Sequence, residues 1–345
     1  MLGYFHKMKV AVYYNNKDVR IQEMPVPEIG PGEFLLKVRA SGICGSDVME
    51  WYRIKKAPIV LGHEVTGEIS KVSEGVPYKV GARVFVSHHV PCNKCRYCIN
   101  WHHTACESLH TTNFYPGGFS EYIRMPRINV ENGVYPLPKK VSFEEGTFIE
   151  PLACVVRGQR LSDIKKGDTV LVIGSGVSGL LHVQLAKAKG AERIFATDLN
   201  EFRLGMAKKF GADTVINAKD DVPSIVKKLN GNRLADKVIV CAGALQAGIQ
   251  ALKSVDRGGT IFFFAVPEPG IDIPVPITEF WRNEITIITS YGAGPADLNE
   301  AMGIISSGGV TVRDMITHRL KLEEAALGFR IVSEASNSIK VILFP

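Results

Sequence analysis

The stretch Thr169-Val-Leu-Val-Ile-Gly-Ser-Gly-Val-Ser-Gly179 decides the fold. Its first five residues are apolar or β-branched and read as a strand buried on both faces, the pattern of a parallel sheet. Gly174, Gly176 and Gly179 then fall at G-x-G-x-x-G spacing, and an Ala/Leu-rich helical run from Val177 continues to Lys189-Gly190. Gly174 permits a tight turn, Gly176 lets backbone approach a pyrophosphate, and Gly179 lets helix and strand pack closely. The start of the helix at Val177 offers unpaired N–H groups to phosphates. Arg193–Thr197 reads as the next strand, and Asp198 ends it. An acid there accepts ribose hydroxyls and repels a 2′-phosphate, which favours NAD over NADP; Arg203 is the nearby cation that an NADP phosphate would use.

Working outward, a helix over Glu201–Phe210 stops at Gly211, and strands are expected at Val215-Ile216, Val238–Cys241 and Thr260–Ala265. Alternating strands and helices make residues 151–290 a doubly wound nucleotide-binding domain. Before it, short apolar runs are broken by Pro25, Pro27, Gly30 and Pro31-Gly32, with turn signals every ten residues or so to about residue 135. That reads as a β-rich, barrel-like domain. Ser142-x-x-Glu145 is a capping box, expected to open a helix running through Glu150. A helix over Pro295–Ser307 and a strand over Ile339–Phe344 return the chain to the first domain. The expected division is 1–150 with 291–345 for one domain and 151–290 for the other, in line with 345 residues.

Composition narrows the function classes. Apolar residues make up 46% and charged residues 22%, and the net charge is 41 − 35 = +6 with scattered basic residues. No basic stripe suits nucleic acid. No run reaches the roughly 18 apolar residues of a membrane span. The first residues carry no signal-peptide pattern, and residues 1–7, ahead of Met8, read as a start-site extension. Seven cysteines, four of them clustered, fit a reducing cytoplasm better than disulfides.

The cluster is Cys92-x2-Cys95-x2-Cys98-x7-Cys106. Four thiols at this spacing fit a closed tetrahedral zinc lobe, which holds a loop together and does no chemistry. The iron–sulfur alternative places its fourth cysteine after three residues and before proline; here the gap is seven and Glu107 follows. His88, His89, His102 and His103 lie near in sequence and read as surface histidines. Upstream, Cys44 and the pair His63-Glu64 supply a thiolate, an imidazole and a carboxylate. Together these hold zinc and leave a coordination position open. Taken singly, Cys44 reads equally as a buried thiol and His63 as a core histidine.

These motifs, GICGSD at 42–47, GHEVTG at 62–67, the cysteine lobe, GGFSEY at 117–122, EPLA at 150–153 and VIGSGVSG at 172–179, resemble the zinc-dependent medium-chain alcohol dehydrogenases, in the branch of sorbitol (L-iditol) and L-threonine dehydrogenases. The resemblance spans nearly the whole chain. It implies a GroES-like β-barrel catalytic domain and a Rossmann domain, with the active cleft between them. It implies two zincs per chain, NAD as cofactor, and a homodimer or homotetramer. Cys44 and His63 resemble catalytic-zinc ligands, Glu64 a ligand or one that exchanges with water, and Glu150 a further carboxylate where classical members carry cysteine. Ser46 resembles the hydroxyl that passes the substrate proton outward, and Asp47 the carboxylate that orients His63. The implied reaction is reversible oxidation of a secondary alcohol, polyol or cyclitol, to a ketone. L-threonine-like amino-alcohol oxidation is the alternative; a non-catalytic nucleotide-binding protein is the distant rival. Met49 stands where many members end the proton relay with histidine, and Tyr291-Gly292-Ala293-Gly294 where polyol enzymes tend to carry an Arg–Tyr pair. The runs 50–53 and 112–115 are expected to line the pocket or to pack as aromatics. Ile285–Thr289 is expected to be an edge strand pairing between subunits, or a buried strand.

Overall fold

The structure is a computed structural model, and it describes residues 6–345. The extension expected ahead of Met8 lies, for residues 1–5, outside the described residues; a strand is already under way at Lys7. Two compact units divide the chain. One runs through Ala153 and resumes at Ala293–Pro345; the other is Cys154–Gly292.

The second unit holds a six-stranded sheet, all parallel. Its spatial order is Thr214–Asn217, Arg193–Asp198, Thr169–Ile173, Ala235–Val240, Val255–Phe263, Thr286–Thr289. Numbered along the chain this is 3-2-1-4-5-6, the doubly wound order in which a ligand sits where the winding reverses, beside Thr169–Ile173 and Ala235–Val240. Every residue of Thr169–Ile173 is buried, as its apolar run requires. Leu171, Phe195, Val238 and Ile261 pack on one side of the sheet with Val222 and Val226 of the helix Val222–Leu229. Thr286–Thr289 is the outermost strand and is largely exposed.

In the first unit a seven-stranded sheet carries the candidate site. Its path is Ile316–Lys321, Lys340–Phe344, Phe34–Ile43, Glu64–Val72, Arg83–Val86, Val134–Pro136, with Tyr122–Met125 also pairing to Phe34–Ile43. A three-stranded sheet of Asp18–Pro25, Lys7–Asn15 and Ile59–Val60 lies beside it. Phe34, Leu36, Val38, Val65, Val84 and Ile123 alternate inward to form a core, as period-2 strands do. The register matters most. Gly42 faces Glu64 across one antiparallel pair, and Ile43 faces Val341 across the other. The end of one strand, the start of its neighbour and the start of a third are thereby brought to one edge.

The capping box forms as expected: Glu145 N donates to Ser142 Oγ at 3.2 Å, and Ser142 N donates to Glu145 Oε2 at 2.9 Å. The helix it opens is shorter than expected. Phe143–Gly146 ends at Thr147, and a separate helix, Ile149–Leu161, carries Glu150. Pro151 explains the break, because a proline ring clashes with the carbonyl four residues back unless it sits in the first turn of a new helix.

Candidate functional site

Cys44 leaves the strand Phe34–Ile43 and caps the 3₁₀ turn Gly45–Val48. Ser46 N and Ser46 Oγ each donate to its sulfur at 3.4 Å. The Cys44 amide in turn donates to Asp47 Oδ2 at 3.0 Å. His63 stands one residue before the neighbouring strand Glu64–Val72, so the register that pairs Gly42 with Glu64 sets thiol and imidazole side by side. One ligand atom each from Cys44, His63 and Glu64 lies within 4.8 Å of the others.

Asp47 is fully buried, and its Oδ1 faces His63 Nδ1 at 3.4 Å. A carboxylate on Nδ1 fixes the tautomer that presents Nε2 as the ligand atom. Burial alone would lower the imidazolium pKa of His63. Asp47 and Cys44 outweigh it and hold the value well above the ordinary one. Burial would likewise raise the Asp47 pKa, but His63, Arg53 and the Cys44 amide pull it down. The donor set fits a metal ion: thiolate, oriented imidazole and carboxylate at the ends of two adjoining strands, together a zinc-type ligand set. Glu150, half-buried in the first turn of its helix, stands outside the three-residue group. Cys154, one turn further, joins neither cluster.

Three side chains at this site carry no signature a motif search would find. Lys340 Nζ forms an ion pair with Glu64 Oε2, and both side chains are 1% exposed. Gly42 makes the room, since a Cβ there would press against the Glu64 carboxylate and Lys340 Cε. Arg53 donates from Nε to the Ser46 carbonyl at 2.9 Å and from Nη2 to Ser46 Oγ at 3.1 Å. His88, read from sequence as a surface residue, stacks 4.9 Å from the His63 ring, with His89 3.6 Å beyond. Burial holds His88 well below the usual histidine pKa and brings His89 down to about 4. Of the runs expected to line a pocket, Phe114 is instead a core residue, whereas Trp51, Tyr52 and Arg53 are half-buried.

The four-cysteine lobe forms the second cluster. All four sulfurs lie within 4.8 Å of one another, with Cys95–Cys98 at 3.5 Å and Cys92–Cys106 at 3.6 Å. Four thiolates at zinc–sulfur bond length stand about 3.8 Å apart in a tetrahedron, so the lobe fits zinc with no open position. Leu109 packs against it, in place of the larger core so short a segment cannot build.

In the other unit the glycine loop fits a dinucleotide. Gly174 takes φ +95°, and a Cβ on Gly179 would strike the Gly174 carbonyl. Gly176 faces open space, the nearest atom to an added Cβ being Arg203 Nη1 at 3.8 Å. Gly176 also caps the helix Val177–Ala188 without a side-chain partner, leaving its first N–H groups available to phosphate. A cavity of 520 Å³ opens there, lined by Gly174, Gly176, Asp198, Leu199, Arg203 and Cys241 among others. Asp198 is held at the strand end, accepting from Ser175 N at 2.8 Å and Asn200 N at 2.9 Å. A carboxylate has lone pairs beyond these two bonds for ribose hydroxyls.

Two family models match the chain: an alcohol dehydrogenase GroES-like domain over residues 30–139 and a zinc-binding dehydrogenase over 178–307. Among curated proteins, the sorbitol dehydrogenase of Bacillus subtilis is 34% identical, covering 98% of this chain and 97% of its own. The L-threonine 3-dehydrogenase of Rhizobium etli is 30% identical, with 94% of each covered. Among solved structures, an Escherichia coli alcohol dehydrogenase complexed with NADH superposes with TM-score 0.87 at 26% identity, covering 98% of this chain and 99% of that one. The 2R,3R-butanediol dehydrogenase of Bacillus subtilis does so with TM-score 0.85 at 27% identity and the same coverage.

Proposed function

The chain belongs to the zinc-dependent medium-chain alcohol dehydrogenases, in the branch of sorbitol and L-threonine dehydrogenases, and from that membership we propose that it oxidises a secondary alcohol, a polyol or cyclitol, reversibly to the ketone with NAD. The observation that supports this most directly is the Cys44–His63–Glu64 cluster with Asp47 behind the imidazole. Cys44, His63 and a carboxylate hold zinc, with Glu64 inside the cluster and Glu150 as the further acid. Zinc, when bound, supplies Lewis acidity that lowers the pKa of the substrate hydroxyl. NAD supplies the hydride acceptor.

The chain's own residues do the rest. Ser46 Oγ takes up the substrate proton and passes one on to solvent. Asp47 holds His63 in one tautomer. Gly176, Val177 and the helix behind them bind the pyrophosphate; Asp198 binds the adenosine ribose, and Arg203 lies over the loop. Cys92, Cys95, Cys98 and Cys106 hold a structural zinc. The 34% identical sorbitol dehydrogenase favours a polyol over an amino alcohol, and the threonine dehydrogenase keeps the second open.

Among the described residues, no helix is long and apolar enough to cross a membrane. We place the protein in the cytoplasm, because four of its cysteines group at metal spacing, which a reducing compartment preserves. We propose a homodimer or homotetramer paired through the open edge strand Thr286–Thr289.

Metal content together with NAD(+) and NADP(+) reduction over polyols, inositols, threonine and simple secondary alcohols tests the reading. Two zincs per chain with turnover of a polyol is the expected result. One zinc and no turnover of any alcohol would overturn the catalytic assignment and leave only the lobe.

A further inference from the structure

Ser46 Oγ has two partners in the structure: it donates to Cys44 Sγ at 3.4 Å and accepts from Arg53 Nη2 at 3.1 Å. Arg53 grips the same residue a second time, Nε to the Ser46 carbonyl at 2.9 Å, and its Nη2 lies 3.5 Å from Asp47 Oδ1. The guanidinium is itself fixed, stacked 4.7 Å over the Tyr52 ring with its side chain only 15% exposed. One planar fork therefore touches both the hydroxyl beside Cys44 and the carboxylate behind His63. The side chain at residue 49 is a methionine, with no proton to give or take.

We propose that Arg53 is a positioning residue for the Ser46 hydroxyl, holding its oxygen beside the candidate metal centre while bracing Asp47. This rests on the reading that Ser46 carries the substrate proton. Because arginine only donates, Ser46 Oγ must accept from it with one lone pair, which leaves the second lone pair to receive the substrate proton and the serine's own hydrogen to leave for water. Arginine stays charged at every working pH, so Arg53 does not take the proton. When the alcohol ionises, its proton goes to Ser46 Oγ as Ser46 releases its own hydrogen to water, and Arg53 keeps all of its hydrogens throughout. The hydroxyl is thus held by a fixed, non-titrating fork. Lysine would keep the charge and lose the two-point geometry.

The test compares the zinc- and NAD-loaded protein with Arg53→Lys, Arg53→Ala and Ser46→Ala, using sorbitol and 2,3-butanediol as probes. Zinc content, the NAD(+) dissociation constant, kcat, KM and the solvent deuterium isotope effect are read for each. The expected result is kcat down about tenfold or more in both Arg53 variants, with KM and NAD(+) affinity within about twofold, two zincs retained and a larger isotope effect. Guanidinium chloride in the millimolar range restores part of the turnover of Arg53→Ala and none of Ser46→Ala. If Ser46→Ala is inactive while Arg53→Ala turns over at the parent rate, Arg53 only packs and the proposal fails alone. Loss of kcat accompanied by loss of zinc, with no guanidinium rescue, makes Arg53 a folding residue and also overturns it. Full turnover by Ser46→Ala overturns the proton-carrying reading and the proposal with it.

Discussion

Lys340 Nζ is paired with the carboxylate of Glu64 beneath Cys44 and His63, and neither side chain is open to water. A carboxylate already neutralised by a buried ammonium adds no net negative charge to the cluster. Gly42 is the residue that admits this pair.

Removing Lys340 alone strands a buried charge. Lys340→Met is expected to destabilise the protein by about 3–5 kcal/mol, and Lys340→Met with Glu64→Gln to recover much of that loss. Urea unfolding of the single and double variants measures both. Equal stability of the two variants would mean that the pair is not coupled.

Asp198 sits at the ribose end of the cavity with two backbone amides on its carboxylate. Asp198→Ala should raise KM for NAD(+) about tenfold and bring NADP(+) closer to NAD(+), since Arg203 remains nearby. Initial rates with each dinucleotide check the prediction.

His182 is fully buried in the helix Val177–Ala188, between Phe262 and Phe264, with Nδ1 3.3 Å from Gln159 Nε2. Burial, followed by the charge of Lys189, lowers its pKa to about 3. The folded value lies below the unfolded one, so the stability from keeping this imidazole neutral is complete above about pH 6.5 and is lost as pH falls toward 3. Between pH 7 and pH 5 the parent should lose about 2 kcal/mol more than His182→Leu. Denaturant midpoints at the two pH values measure the difference, and parallel curves would place the acid sensitivity elsewhere.

Ile277 and Trp281 lie four residues apart on the helix Ile277–Arg282 and are 69% and 78% exposed, just before the open strand Thr286–Thr289. Residues four apart share a helix face, so the pair forms an exposed apolar patch a few residues ahead of the strand with the unpaired edge. Trp281→Glu with Ile287→Lys should lower the mass measured by light scattering from that of a multimer toward 37.8 kDa while leaving the thermal unfolding of the monomer cooperative. An unchanged mass would exclude this edge as the interface.

Much of the architecture was legible because its signals are local. The strand Thr169–Ile173, the glycine loop and the helix Pro295–Ser307 each lie within a dozen or so residues, and so do the four lobe cysteines. What escaped was long-range or depended on shape. Lys340 begins an otherwise apolar strand, and its partner is 276 residues away. Its only sequence signal was a charge where burial was expected, which requires a partner without naming one. Arg53 stood in a run expected to line the pocket, but nothing in the sequence tied it to Ser46 until the turn at Gly45–Val48 brought the two together. His88 seemed superfluous beside four thiols, yet the chain passes the other cluster on its way to the lobe.

The strand that carries Lys340 closes on Phe34–Ile43 from the far end of the chain. Synthesis runs from the N-terminus, so Glu64 emerges 276 residues ahead of its counter-charge. A nascent chain holds an unbalanced acid beside its thiol and imidazole until that strand docks.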